Sequence, residues 1–263
     1  MRDLIHFAHG NGFPALCYRQ LFNCLQTRYD CCYIDKIGHD PRFPVTDNWM
    51  LLVEEIINSI REQATQPVIA VGHSFGGALS LLAATKQPSL FKAVVMLDSP
   101  LPGRFKSNVV RLAKALGVID RITPAYRTRG RKEHWQNKEQ LISYLKSKEL
   151  FKTFTDACLQ DYIDYGLEKK EEGYVLRFDR HIEYLIYRTI PHSLSDYEKK
   201  LTVPAALIYG DESKVVDRFD RRYMKKYYHI SNYKIKGTHM FPMEYPEKTA
   251  EQVFAILDAI LEK

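Results

Sequence analysis

The sequence predicts an α/β fold: a mostly parallel sheet of about six strands flanked by helices, with a helical insertion after the strand ending at Leu97. Three observations carry this. Short apolar strands alternate with helical patterns at both ends of the 263-residue chain. At 68–84 a strand runs through a glycine-bracketed turn straight into a helix. Between Asp98 and Leu201 the alternation stops for about a hundred residues, too long for a connecting loop.

In chain order, the strands are expected at 4–8, 31–34, 68–71, 93–97, 205–209 and 233–235. Each is short, apolar and followed by a loop or helix. Helical patterns fill the gaps at 15–27, 47–63, 78–86, 218–228 and 247–261; in the second, Met50, Leu51, Val53, Ile56, Ile57 and Ile60 recur at three- and four-residue spacing. The broken stretch holds helix-like segments and one weak hairpin signal at 171–176. The expected organisation is a core of 1–100 and 201–263 with an inserted cap at 101–200.

No run of 18 apolar residues occurs, and the first strand follows the N-terminus without a signal-peptide core, so a soluble, cytoplasmic protein with no integral membrane segment is expected. Five cysteines without paired spacing suggest free thiols and no metal site. The net charge of +6 lies wholly in the middle: residues 99–200 hold 20 Lys/Arg against 14 Asp/Glu, densest from Arg104 to Lys132, and the rest holds 18 of each. The basic residues are not interleaved with aromatics as in a nucleic-acid module, so no nucleic-acid partner is expected. A solvated helix face is the simplest account of them, and a weak contact with an anionic surface is the other.

Gly72-His73-Ser74-Phe75-Gly76-Gly77 joins strand to helix in a turn so tight that its flanks must be tiny, which lifts Ser74 clear of the sheet at a helix N-terminus. A serine is a poor nucleophile alone. It needs a histidine base, an acid to orient the base, and donors for an oxyanion. His9-Gly10-Asn11-Gly12 follows the first strand, so the N–H groups of Asn11 and Phe75 are the expected oxyanion donors. His239 follows the last strand and precedes the C-terminal helix, at the same sheet edge as Ser74. His73 is expected to point away, and His6, His9 and His39 to fix loops.

Strand, His-Gly loop, Gly-His-Ser-Phe-Gly elbow and late Gly-x-x-His together resemble the α/β-hydrolase superfamily, over nearly the whole chain outside the insertion. The resemblance implies an acid three residues after Gly210, but Ser213 stands there. Some members carry the acid after the preceding core strand, which here is Asp98; Asp211 is the alternative, and Glu212 or Asp217 come after it. The family's opening hairpin is missing, which implies a sheet shortened at one edge. The loop 35–40 is similar to the family's Asp-x-x-Gly-His loop and is expected to form a wall of the site. The insertion is implied to be a cap over Ser74. About a third of its aromatics (Tyr126, Trp135, Tyr144, Phe151, Phe154, Tyr162, Tyr165, Tyr184, Tyr187) are expected at the cavity. Residues 127–132 are expected to be an exposed mobile loop or an anion contact.

The resulting expectation is a serine hydrolase of carboxylic esters or thioesters, acting on a small acyl substrate without metal or cofactor through Ser74, His239 and Asp98. C–C bond, amide or lactone cleavage on the same fold is the alternative. A catalytically silent binding module is the rival from another class.

Overall fold

The computed structural model describes residues 2–261. Six parallel strands form the main sheet: β1 (Leu4–Ala8), β2 (Asp30–Tyr33), β3 (Val68–His73), β4 (Phe91–Leu97), β8 (Ala205–Gly210) and β9 (Ser231–Ile235), in the order β2-β1-β3-β4-β8-β9. The chain leaves β1 toward one edge and returns to β3 on its other side. Ala8 therefore pairs with Gly72, and the loops after β1 and β3 emerge side by side. Parallel sheets bind ligands at such a switch point, beyond the carboxyl ends of the strands.

Helices α1 (Arg19–Leu25), α2 (Met50–Gln63), α3 (Phe75–Lys86), α10 (Arg218–Tyr228), α11 (Phe241–Glu244) and α12 (Pro246–Leu261) surround this sheet. Alternate strand residues point to opposite faces: Ile69 and Val71 pack with α1 and α12, while Val68 and Ala70 pack with α2, α3 and α10. Burial on both faces is why the four inner strands read as nearly unbroken apolar runs.

Two helices are interrupted where the sequence pattern runs on. Asn48 and Trp49 have positive φ, so 47–63 divides into a 3-10 turn, Asp47–Trp49, and α2. Both residues are tied to the insertion: Asn48 Oδ1 accepts the His192 N–H at 2.8 Å, and Trp49 Nε1 donates to the Ile186 carbonyl at 2.9 Å. Helix 15–27 similarly divides into a 3-10 turn, Ala15–Tyr18, and α1.

The stretch between β4 and β8 holds α4 (Arg104–Ala115), α5 (Ile119–Ile122), α6 (Ala125–Arg129), α7 (Lys138–Lys146), α8 (Asp156–Tyr165) and α9 (Arg180–Arg188). The weak hairpin signal is the turn and last strand of an antiparallel sheet of β5 (His134–Trp135), β6 (Leu167–Lys170) and β7 (Gly173–Leu176). Its apolar residues join the main clusters, with Trp135, Leu141 and Tyr162 on one side and Phe178 and Ile186 on the other. Among the described residues no helix is long and apolar enough to cross a membrane. All five cysteines are free thiols.

Candidate active site

β3 ends at His73 and α3 begins at Phe75, so Ser74 alone makes the turn, with φ 54° and ψ −122°. Such a backbone is held only when its surroundings over-determine it. They do so by contact. A Cβ on Gly76 would lie 2.1 Å from the Ala8 carbonyl oxygen, and one on Gly77 would lie 2.0 Å from Ser99 Oγ. The Ser74 N–H donates to the Leu97 carbonyl at 2.8 Å, stitching the turn to the end of β4.

One residue beyond that carbonyl, Asp98 is fully buried and also has positive φ, 44°. Its carboxylate collects three donors. Oδ1 accepts the Gly210 N–H at 3.1 Å, and Oδ2 accepts both His239 Nδ1 at 2.7 Å and the Ser213 hydroxyl. A carboxylate only accepts, so the His239 proton sits on Nδ1 and Nε2 is the basic nitrogen. Nε2 has no partner among the described residues.

The other three carboxylates do not reach the imidazole. Asp211 Oδ1 accepts the Gly237 N–H at 3.0 Å, Glu212 is exposed, and Asp217 caps α10 and binds Lys106 at 2.8 Å. Asp211, the alternative read from the sequence, makes no hydrogen bond to His239. Its side chain is spent on closing the β9 loop. That loop is held further by Glu244, buried at the end of α11, which accepts the Thr238 N–H at 3.0 Å and the Thr153 hydroxyl at 2.7 Å.

The loop after β1 is set by His9. Its Nε2 accepts the Ile37 N–H at 2.8 Å and its Nδ1–H donates to the Gly10 carbonyl at 2.9 Å. Burial pushes its pKa down to about 4, which keeps it neutral. Phe13 N–H closes the loop on the Gly10 carbonyl at 3.1 Å, and Gly12 takes φ 81°. Among the described residues the N–H groups of Asn11 and Phe75 have no acceptor, and both residues are nearly buried.

A relay missed at the level of sequence ties this loop to the other two. The Gly10 N–H donates to Tyr18 Oη at 3.1 Å, and Tyr18 Oη–H donates to His73 Nδ1 at 2.7 Å. His73 Nε2–H then donates to the carbonyl of His239 at 2.9 Å. His73 therefore does not point away. Burial first, and then the neighbouring His239, hold its pKa well below the usual histidine range. His6 lies inside β1, where its Nε2 meets Ser59 Oγ at 2.9 Å, and fixes no loop.

Ser74 and His239 open onto one cavity of about 450 Å³, with Asn11 also in its wall. Of the nine aromatics named in the insertion, Trp135, Tyr144, Phe151, Tyr162 and Tyr187 line it, more than the expected third. Tyr126 is exposed, Tyr184 donates to Asp120, and Phe154 and Tyr165 pack into the core. Arg131 is largely buried, not exposed. It lies in the cavity wall, bound to Glu183 at 2.6 Å and to Tyr162 Oη at 2.8 Å.

The loop 35–40 forms no wall of this cavity. His39 Nε2 accepts the Asp179 N–H at 3.0 Å, its ring packs on Phe178, and Asp35 binds Arg177 at 3.0 Å, so the loop props up the insertion instead. Among the described residues no three His, Cys, Asp or Glu side chains converge as metal ligands would.

The chain is 26% identical over 266 residues to the uncharacterized hydrolase YugF of Bacillus subtilis (strain 168), covering 96% of this chain and 89% of that one. It is 29% identical over 131 residues to the monoglyceride lipase of Rattus norvegicus, covering 45% of this chain and 43% of the lipase. Among solved structures, E-2-(acetamidomethylene)succinate hydrolase superposes with a TM-score of 0.79 at 19% identity, covering 98% of this chain and 92% of that one, a likeness of fold. The sequence model of the alpha/beta hydrolase family matches residues 7–252, a span that includes the elbow, the buried carboxylate and the late histidine, and the chain belongs to that family.

Proposed function

We propose that this hydrolase cleaves a carboxylic ester or thioester through an acyl-serine intermediate, with Ser74 as nucleophile, His239 as base and Asp98 as the acid that orients it. The observation that carries this reading is the 2.7 Å bond from His239 Nδ1 to the buried Asp98, which leaves Nε2 free in the cavity that Ser74 lines. Nε2 takes the Ser74 proton as Oγ attacks the carbonyl carbon. The negative oxygen of the tetrahedral intermediate is held by the N–H groups of Asn11 and Phe75. His239 then protonates the leaving alcohol or thiol, and water releases the acid by the same steps in reverse. Asp98 keeps accepting the Nδ1–H and stabilises the imidazolium. In the unreacted enzyme the serine–histidine bond is commonly long and tightens with substrate.

In this reading residues 101–200 act as a cap. The insertion's aromatic side chains supply the pocket for the acyl or alcohol portion and exclude water from the developing charge. The local likeness to a protein named as a lipase supports an ester as the bond cleaved.

The test is labelling by a fluorophosphonate with intact-mass detection, followed by a panel of chromogenic esters, acyl thioesters and a vinylogous diketone. A single adduct that Ser74→Ala abolishes, with ester or thioester turnover, is expected. Turnover of the diketone alone would move the reading to C–C cleavage. Absence of any adduct in folded protein would leave a binding module.

A further inference from the structure

The outer surface of the insertion carries an apolar band that nothing in the fold covers. Along α4, Phe105, Val109 and Leu112 follow one another at four- and three-residue spacing, and Leu116 extends the row past the helix end. Four and three are the spacings of one helix face. All are exposed, Phe105 at 81%, Leu112 at 60% and Leu116 at 65%, while Ser107 and Ala113 are the residues α4 buries. The band continues at both ends. Phe219 of α10 shares a groove with Phe105, and Ile122 and Tyr126 share another beside α5 and α6. Single exposed apolar side chains are ordinary on a soluble protein, but a row of this length marks a contact surface.

Its electrostatics select the partner. Residues 104–132 hold nine Lys/Arg and one acidic residue, Asp120. Asp120 is largely buried and accepts the Tyr184 hydroxyl at 2.8 Å. Several of the cations are already used: Arg104 by Glu198, Lys106 by Asp217 and Asp220, Lys114 by Asp47. Arg111, Arg121 and Arg127 are exposed and have no carboxylate within ion-pair distance among the described residues. Uncompensated guanidinium groups beside large apolar side chains match a layer of anionic headgroups over acyl chains. A second copy of the chain would bring the same cations face to face.

The band also borders the cavity. Arg127 lines the groove of Ile122 and Tyr126 and lines the Ser74 cavity as well. We propose that the α4–α6 face, with Phe219, docks on an anionic lipid surface and holds the rim of the cavity against it. If the ester reading stands, acyl substrates dissolved in the membrane reach Ser74 from that side. Docking itself does not depend on that chemistry.

Co-sedimentation with vesicles of phosphatidylcholine, with or without about 30% phosphatidylglycerol, tests this. Wild-type protein is expected to partition onto the anionic vesicles at least about tenfold better than onto the neutral ones. Phe105→Ser/Leu112→Ser/Leu116→Ser should abolish binding. Arg111→Gln/Arg121→Gln should remove the preference for anionic lipid. Neither variant should change fluorophosphonate labelling in solution, which separates a docking defect from loss of fold or chemistry. Equal partition of wild type onto both vesicles, or undiminished binding by the triple variant, would overturn the proposal. A wild-type dimer that the triple variant dissociates would overturn it in favour of a second copy.

Discussion

Ser213 donates its hydroxyl to Asp98 Oδ2, the same oxygen that accepts His239 Nδ1. The position where a family acid is expected therefore holds a donor to the carboxylate supplied by the neighbouring strand. The carboxylate at 98 reaches the imidazole because β4 and β8 are adjacent and parallel, with Leu97 opposite Ile208. Asp98→Asn should lower kcat by about 10³- to 10⁴-fold, since an amide can donate to Nδ1 and stabilise the wrong tautomer. Asp211→Asn should change it by less than about threefold, as a group remote from the imidazole. Ester turnover by the two variants checks this, and a large loss in Asp211→Asn with a small one in Asp98→Asn would reverse the assignment.

The Tyr18–His73 relay joins Gly10, the elbow and the His239 carbonyl through three consecutive hydrogen bonds. Removing the middle hydroxyl leaves a buried N–H without an acceptor and a buried ring nitrogen without a donor, at a cost of about 1–3 kcal/mol. Neither Tyr18 nor His73 has a part in bond making, so each acts through position. Tyr18→Phe should reduce kcat by about 10- to 100-fold with KM nearly unchanged, because, on the proposed mechanism, sub-ångström shifts of the Gly10 loop and His239 cost rate before binding. Thermal unfolding measured alongside separates this from collapse. A KM effect with kcat intact would place Tyr18 in substrate binding instead.

How much of this was legible in the sequence follows from the range of each interaction. The elbow announced itself because its steric demands fall on neighbours: glycines stand two positions either side of Ser74 and the apolar runs flank them. His239 was legible as a histidine at a strand's end. The carboxylate partner of His239 was ambiguous because Asp98 and Asp211 both follow strands and only register decides which meets Nδ1. Tyr18 left no signal. Its partners lie eight and 55 residues away, one in the loop after β1 and one at the end of β3, so no single helix or strand period links them. Arg131 looked solvated within a run of charges, since Glu183, its partner, stands 52 residues downstream.

The steric account of the elbow makes a local prediction. At Gly76 a methyl group would meet the Ala8 and His9 carbonyl oxygens at 2.1 and 2.5 Å, both backbone, so α3 and β1 would have to part. Gly76→Ala should destabilise the fold by more than about 4 kcal/mol. Gly130 has open space around its Cβ position and negative φ, so Gly130→Ala should be neutral or stabilising by up to about 1 kcal/mol. Urea unfolding of the pair is the check. Similar midpoints would show that the elbow relaxes more easily than its contacts suggest.

Buried histidines set the response to acid. Burial pushes His6 and His9 down to about 4 and, with His239 nearby, holds His73 well below its usual range. The unfolded chain takes up these protons near pH 6.5 and the folded chain refuses them, so the stability they contribute is complete above 6.5 and is lost as pH falls toward 4. Glu55 opposes this. Its carboxyl accepts the Gly38 N–H at 2.8 Å, yet burial pushes it up to about 7, so the folded state gains a proton there before the unfolded one does. Its contribution is present at low pH and is lost as pH rises through 7. Three groups outweigh one, so stability should fall between pH 6.5 and 4, by roughly 2–3 kcal/mol per pH unit at the steepest. Glu55→Gln keeps the acceptor for Gly38 and removes the charge. It should be more stable than wild type at pH 8 by on the order of 2 kcal/mol, lose that advantage toward pH 5, and show the steeper acid fall. Urea midpoints at pH 8, 6.5 and 5 decide the matter, and a wild-type profile flat from 6.5 to 5 would mean that the three imidazoles become protonated without leaving the fold.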